Sequence, residues 1–223
     1  VFLDQFNIEV DYFLGIKNTS ANSLIGEVII ELEKTIKALQ PDLLLCVGDV
    51  NSTLAAAISA NKLGVKLGHL ESGLRSLDRQ MPEEINRILT DEISDICFVT
   101  EKSGLQNLKD IGKKNEQIAF VGNTMIDTLV HFNAQIEASS VLEEIQQNKD
   151  AYILVTMHRP RNVDTKEALL KIVDLFKKIT EKHKVVFSIH PRTKNSFGNF
   201  DMLDDLNQIK NLTIIAPQNY FSF

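Results

Sequence analysis

The sequence predicts an α/β protein built on parallel β-sheets. Short, continuous apolar runs, typical of strands buried on both faces of a parallel sheet, alternate with longer segments of helical periodicity. The connections between them are short, as in right-handed βαβ units. Strands are predicted at 43–47, 66–70, 96–99 and 118–121, and a second series at 152–156, 185–189 and 212–215.

The helices follow from their apolar spacing and their end signals. Residues 1–6 are predicted to be the C-terminal part of a helix. A short strand is predicted around Tyr12 to Leu14. A helix over about 20–39 has an apolar stripe at helical spacing and stops before Pro41. Pro82 can begin a helix because the first helical N–H has no partner. The remaining helices are predicted at about 52–63, 82–93, 102–110, from Thr124, and at about 165–182.

A polar stretch divides the two series of strands. Residues 137–150 are rich in Glu, Gln, Ser and Asn and are predicted to form a linker. The sequence therefore predicts an N-terminal domain over 1–136 and the start of a second domain over 151–223.

Composition excludes several classes of protein. The 223 residues are 43% hydrophobic and 24% charged, which is ordinary for a globular protein in water. A net charge of -6 without a long basic run gives no support for a nucleic-acid partner. Cys46 and Cys97 lie in apolar runs and are predicted to be reduced core residues. No apolar run is long enough to cross a membrane, so we expect no membrane partner and a cytoplasmic location.

Polar segments follow four of the predicted strands, where ligands bind in open α/β sheets. They are Gly48-Asp49, His69-Leu70-Glu71, Gly122-Asn123-Thr124 and Met157-His158-Arg159-Pro160. Asp49 suits either a ligand site or the cap of the next helix. His69 lies within a strand end and is predicted to be a core histidine with satisfied hydrogen bonds. Thr124 and Asp127 resemble a capping box.

Carboxylates and basic groups at these strand ends supply the parts of an acid–base site. Crowded carboxylates separate in pKa, which leaves one as a base and another as an acid near neutral pH. His158 and Arg159 form a natural anion site. His190 either extends that site or belongs to a polar loop. No glycine-rich nucleotide motif and no zinc-ligand spacing is present, so neither a cofactor nor a metal is predicted.

Five segments together resemble the non-hydrolysing UDP-N-acetylglucosamine 2-epimerases of bacteria. The segments are Gly-Asp-Val-Asn-Ser-Thr-Leu (48–54), His-Leu-Glu-Ser-Gly-Leu-Arg-Ser (69–76), Met-Pro-Glu-Glu-Ile-Asn-Arg (81–87), Val-Gly-Asn-Thr-Met-Ile-Asp (121–127) and Val-Thr-Met-His-Arg-Pro (155–160). They occur in the family's order, and the resemblance extends over nearly the whole chain.

The resemblance implies a fold, a reaction and a set of site residues. The fold is the glycosyltransferase-B type, with two Rossmann-like domains. The reaction converts UDP-N-acetylglucosamine to UDP-N-acetylmannosamine for cell-surface polysaccharides, by elimination and re-addition of UDP and without a cofactor. By matched position the residues implied are Asp49, Glu71, Glu83 and His158 as catalytic groups, and Arg75, Arg159 and His190 as substrate-binding groups. Glu83 rather than Glu84 matches the motif, and helical neighbours point about 100° apart.

The resemblance also implies partners, and the chain departs from the family pattern at both ends. The nucleotide sugar is expected as the substrate, and the same compound is a candidate allosteric activator. A homodimer is expected. The family's first βα unit should precede Val1 and its Asp-Ser-Gly-Gly segment should follow Phe223, so the chain is expected to be an internal piece, incomplete at both ends. Two alternatives stay open: a sugar-nucleotide-binding fragment without activity, and a glycosyltransferase of the same fold.

Overall fold

A computed structural model describes residues 2–17, 20–149 and 151–223. The chain divides into two compact units. The first unit is Glu9–Leu129; the second is Val130–Phe223 together with the residues up to Ile8. In chain order the elements are α1 (Phe2–Gln5), α2 (Ala21–Leu39), β1 (Leu43–Val47), α3 (Asn51–Leu63), β2 (Lys66–Leu70), α4 (Pro82–Ile93), β3 (Ile96–Val99), α5 (Lys102–Asp110), β4 (Ile118–Phe120), α6 (Thr124–His131), α7 (Asn133–Glu137), α8 (Val141–Glu144), β5 (Tyr152–Val155), α9 (Pro160–Val163), α10 (Lys166–Thr180), β6 (Lys184–Ser188), α11 (Pro191–Asn199), α12 (Leu203–Asn207) and β7 (Leu212–Ile215).

The first unit contains a parallel sheet in the order β1-β2-β3-β4. Its register places Cys46, His69 and Cys97 in one row across three strands, and all three side chains are buried. The row belongs to the core, where Cys46 packs with Ala57 of α3. Because the strands are parallel, their carboxyl ends share one edge of the sheet. The predicted α/β class with parallel sheets is confirmed.

A close approach of two glycines fixes the segment after β2 against α5. Gly73 has a φ of +80°, and a Cβ atom there would lie 2.5 Å from the carbonyl oxygen of Gly104. No other residue type fits this contact, so the path of the segment between β2 and α4 depends on these two residues.

The second unit has a smaller parallel sheet in the order β5-β6-β7. Helix α10 begins where the Thr165 hydroxyl accepts a hydrogen bond from the Ala168 N–H, at 3.2 Å. Its apolar face packs Phe176 against Phe187 of β6, with ring centroids 4.9 Å apart. These contacts bury the central strand of the sheet and position its carboxyl end at His190.

Two predicted segments differ from the structure. Residues 12–17 form no strand, because a strand requires a partner for its backbone groups; the Lys17 N–H instead donates to the Glu27 side chain. The segment 190–211, predicted to be irregular, contains α11 and α12. The predicted linker 137–150 contains α8, and its last residue, Asp150, lies outside the described residues. The structure changes units at Leu129–Val130. The domain boundaries given by the sequence stay a prediction.

Candidate active site

Asp49 lies at the carboxyl end of β1, immediately after a tight turn at Gly48. The Gly48 N–H donates to the Leu70 carbonyl at 3.0 Å, which joins the ends of β1 and β2. The Asp49 carboxylate does not cap α3, since the N-cap residue is Val50. It instead forms an ion pair with Arg87, at 2.6 Å from Oδ2 to Nη2. The helix-cap interpretation of Asp49 is therefore wrong.

Glu71 follows the neighbouring strand, β2, and lies at the same edge of the sheet. Its φ is +69°, a left-handed conformation that is uncommon for a residue with a side chain and is often found at functional sites. Its Oε2 atom lies 4.0 Å from Nη2 of Arg87. Both carboxylates keep 24% of their side-chain surface exposed. The structure therefore brings Asp49 and Glu71 together, accessible to a ligand.

Arg87 was not identified from the sequence as a site residue. It lies on α4, one turn after Glu83, and its guanidinium lies between the two strand-end carboxylates. The neighbouring Asn86 is buried and donates to the Asp49 carbonyl at 2.9 Å. The signal that could have found Arg87 is its spacing of four residues from Glu83, which places both side chains on one helix face.

The two glutamates at the start of α4 have different environments. Glu83 is exposed, as a group that contacts a ligand must be. Glu84 is 3% exposed and accepts hydrogen bonds from the Ser76 N–H, the Ser76 hydroxyl and the Leu77 N–H. Burial alone would raise the pKa of Glu84, but these hydrogen bonds, with the nearby Arg75 charge, hold it below its ordinary value. Glu84 is a structural residue.

A buried polar network lies beneath the carboxylates. His69 and Asp91 are both fully buried, and Nδ1 of the ring lies 2.7 Å from Asp91 Oδ1. The other oxygen of Asp91 accepts from the Gly73 N–H at 3.0 Å and from Arg75 at 2.6 Å. The interpretation of His69 as a satisfied core histidine is confirmed. Arg75, which the resemblance implies as a substrate-binding residue, has a side chain only 8% exposed.

In the second unit, His158 and His190 follow β5 and β6. Both are exposed, and their ring centroids lie 5.2 Å apart. Nδ1 of His190 accepts from the Arg192 N–H at 3.1 Å, so this histidine also caps α11. Arg159 is exposed at the start of α9. The structure thus brings the two histidines together at one edge of the second sheet.

Other polar groups near these strand ends are structural. Arg192 binds Asp164 through two hydrogen bonds, which hold the pKa of Asp164 below its ordinary range. At the end of the first sheet, Asn123 caps α6 by accepting from the Met125 N–H at 3.0 Å. The cap is therefore Asn123, one residue before the predicted Thr124.

Within residues 2–17, 20–149 and 151–223, no group of three or more His, Cys, Asp or Glu side chains is arranged to hold a metal ion. Over the same ranges, none of the helices combines the length and apolar character needed to cross a membrane.

The chain is similar to known proteins of one family. The family model for UDP-N-acetylglucosamine 2-epimerase matches residues 1–223. A UDP-N-acetylglucosamine 2-epimerase of Methanococcus maripaludis is 37% identical, with 100% of this chain and 63% of the relative aligned. A UDP-2,3-diacetamido-2,3-dideoxy-D-glucuronate 2-epimerase of Pseudomonas aeruginosa is 38% identical over 87% of this chain and 55% of its own length.

A solved structure shares the fold. The crystal structure of Methanocaldococcus jannaschii UDP-GlcNAc 2-epimerase in complex with UDP-GlcNAc and UDP superposes with a TM-score of 0.86 at 38% identity, covering 99% of this chain and 62% of that one. The predicted glycosyltransferase-B type of fold is confirmed by this likeness. The chain spans about 63% of the length of the Methanococcus relative. Since the family model covers all 223 residues, the chain belongs to the UDP-N-acetylglucosamine 2-epimerase family.

Proposed function

We propose that the gene product carrying this chain inverts C2 of UDP-N-acetylglucosamine to give UDP-N-acetylmannosamine. The observation that carries the proposal is the cluster of Asp49, Glu71 and Arg87 at the carboxyl ends of β1 and β2. Two accessible carboxylates beside one cation are the groups needed for proton transfer at two faces of one carbon. The 38% identity to an epimerase crystallised with UDP-GlcNAc and UDP supports the choice of substrate.

The proposed reaction has two balanced steps. A carboxylate removes the C2 proton, the electron pair of that C–H bond forms a C1–C2 double bond, and the C1–O bond breaks with its electrons leaving on UDP. In the second step, the UDP oxygen adds to C1 of the double bond while a carboxylic acid protonates C2 from the opposite face. One carboxyl group must be ionised and the other protonated at the same time.

Individual roles follow from accessibility. Asp49 and Glu71 are proposed as the acid and base, and Glu83 as a further carboxylate on the exposed start of α4. Arg87 balances the charge of the strand-end pair. We do not assign a substrate contact to Arg75, because its guanidinium is bound to buried Asp91.

The basic groups of the second unit are proposed to serve the UDP leaving group. His158 and His190 are exposed side by side, and Arg159 is exposed next to His158. Imidazole and guanidinium groups stabilise the charge that develops on a departing diphosphate. His158→Asn should therefore cause abnormal partitioning between free UDP, glycal and product. The supply of product for cell-surface polysaccharides and a homodimeric state are further parts of the proposal.

Proton exchange in heavy water tests this proposal. Incubation with UDP-N-acetylglucosamine should place deuterium at C2 of both epimers, observed by NMR. Asp49→Asn and Glu71→Gln should keep UDP binding and lower turnover by about 10²-fold or more, the scale for loss of a general acid or base. Asp42→Asn is the matched control, because this exposed aspartate precedes the same strand at its other end.

The alternatives give different outcomes in the same experiment. UDP binding without any exchange at C2 would indicate a sugar-nucleotide-binding protein. Sugar transfer to an acceptor without formation of the manno epimer would indicate a glycosyltransferase. Because the Pseudomonas relative is named for a diacetamido glucuronate nucleotide, that UDP-sugar is tested in parallel, and faster turnover of it would correct the substrate.

A further inference from the structure

The fully buried His69 has oxygen atoms facing both of its ring nitrogens. Nδ1 lies 2.7 Å from Asp91 Oδ1, and Nε2 lies 2.8 Å from the Gly48 carbonyl oxygen. A carbonyl oxygen only accepts hydrogen bonds, and so does an ionised carboxylate. A neutral imidazole has one N–H and would leave a nitrogen lone pair facing an oxygen lone pair inside the core. The geometry therefore requires a proton on each contact.

The position of the proton between His69 and Asp91 follows from the other partners of the carboxylate. Oδ2 of Asp91 accepts from Arg75 at 2.6 Å and from the Gly73 N–H at 3.0 Å. A guanidinium and a backbone N–H both favour the ionised carboxylate. The shared proton accordingly stays on Nδ1, and the pair is an imidazolium bound to a carboxylate.

The neighbours of the ring in the sheet carry no compensating negative charge. Cys46 of β1 and Cys97 of β3 flank His69 in the same row. Burial raises the pKa of each thiol to about 11, so both are neutral at pH 7. The charged group in contact with the ring is Asp91 of α4, which in turn binds Arg75.

The contacts of His69 join the three elements that carry the proposed catalytic groups. The ring itself is on β2, two residues before Glu71. It binds the Gly48 carbonyl at the end of β1, one residue before Asp49. It binds Asp91 on α4, one turn after Arg87.

We propose that His69 is a positioning residue held as a doubly protonated imidazolium, which fixes the carboxyl ends of β1 and β2 and helix α4 relative to one another. This inference rests on the proposed function, because the groups it positions are those assigned to proton transfer. Displacement of a reacting group by about 1 Å costs on the order of 10²-fold in rate. Loss of the contact to Gly48 should therefore lower kcat more than it changes KM.

The first test is spectroscopic and requires no turnover. In a protein labelled with ¹⁵N histidine, both ring nitrogens of His69 should give signals of protonated nitrogen at neutral pH, with ring N–H protons that exchange slowly. The histidines at 131, 158, 183 and 190 are exposed and provide the comparison, since their ring protons exchange freely with water. His69→Gln assigns the signals by removing them. A non-protonated nitrogen at either position of His69 overturns the proposal.

The second test separates the two arms of the ring. The amide of His69→Asn falls near the position of Nδ1 and keeps the donor to Asp91, whereas that of His69→Gln falls near Nε2 and keeps the donor to Gly48. Each variant loses one buried hydrogen bond, so urea unfolding should show similar losses of stability. We expect kcat to fall by about 10²-fold in the Asn variant and by less than about tenfold in the Gln variant, with KM nearly unchanged in both.

The outcomes separate this inference from the proposed function. Equal losses of kcat in the two variants, or a larger loss in the Gln variant, would make His69 merely structural and overturn the positioning role. Absence of proton exchange at C2 with the parent protein would refute the proposed function. The nitrogen signals of His69 would still confirm or refute the imidazolium independently.

Discussion

Replacing Glu84 by glutamine should destabilise the first unit, whereas the same exchange at the adjacent Glu83 should not. Glu84 is 3% exposed, and its carboxylate accepts from the Ser76 N–H at 2.7 Å, the Ser76 hydroxyl at 3.0 Å and the Leu77 N–H at 3.3 Å. Glutamine has almost the same shape. It keeps one oxygen acceptor but replaces the other with an NH₂ group, which faces N–H donors in this site.

The size of the effect follows from the strength of these bonds. Hydrogen bonds to a charged group contribute about 1.5–3 kcal/mol in proteins, and a buried group left without a partner costs a similar amount. We therefore expect Glu84→Gln to lower the free energy of unfolding by about 2–3 kcal/mol. Glu83 is exposed, so Glu83→Gln should stay within about 0.5 kcal/mol of the parent. The Glu83 variant should instead lose turnover, in keeping with its proposed contact with the substrate.

Urea unfolding at several pH values measures this difference. Hydrogen bonds from Ser76 and Leu77 hold the pKa of folded Glu84 below its ordinary value against the opposing effect of burial. A folded pKa below the unfolded value of about 4.3 means that the carboxylate stabilises the protein above that pH. The contribution is lost as the pH falls through the folded pKa. The gap in stability between parent and Glu84→Gln should therefore be full at about pH 6 and shrink on acidification. Equal stability of the two glutamine variants, or a gap that widens in acid, would refute this reasoning.

Two further predictions concern the same unit. Gly73→Ala should lower the free energy of unfolding by more than about 3 kcal/mol, because it combines a left-handed φ with a clash 2.5 Å from the Gly104 carbonyl oxygen. The control is Gly112→Ala, at a position with a φ of +88° and open space around the new Cβ atom. In urea unfolding it should lower the free energy of unfolding by only about 1–2 kcal/mol. Cys46 and Cys97 should resist alkylation in the native protein and react once it is unfolded, because both are buried and burial raises the pKa of each thiol to about 11. Mass spectrometry before and after addition of urea measures the alkylation. Rapid labelling of the native protein would contradict this prediction.

The parallel strands could be predicted because their signal is local. Residues 43–47 and 96–99 are short apolar runs between polar or turn residues, and the structure has strands at these bounds. The strand predicted around Tyr12 failed for the opposite reason. Its formation depends on a partner supplied by another part of the chain, which a local pattern does not contain.

The placement of Asp49 and Glu71 at one sheet edge could also be predicted, since consecutive parallel strands share an orientation. The position of Arg87 between these two carboxylates could not be predicted. Arg87 meets Asp49 only after β1 and α4 have packed, and His69 meets Asp91 across 22 residues of sequence. The ion pair of Arg75 could not be predicted for the same reason, because the buried carboxylate that binds its guanidinium lies 16 residues away.

Helix α4 explains how these separate contacts form one arrangement. Glu83, Arg87 and Asp91 recur at intervals of four residues, so they lie along one face, with the exposed carboxylate first and the buried anchor of His69 last. A rotation of the helix by one residue would turn this face by about 100° and present Glu84 where Glu83 now lies. The hydrogen bonds of Glu84 to Ser76 and Leu77 oppose that rotation from the adjacent face. Glu84, which contacts no substrate in this proposal, thereby determines that Glu83 is the glutamate facing the substrate.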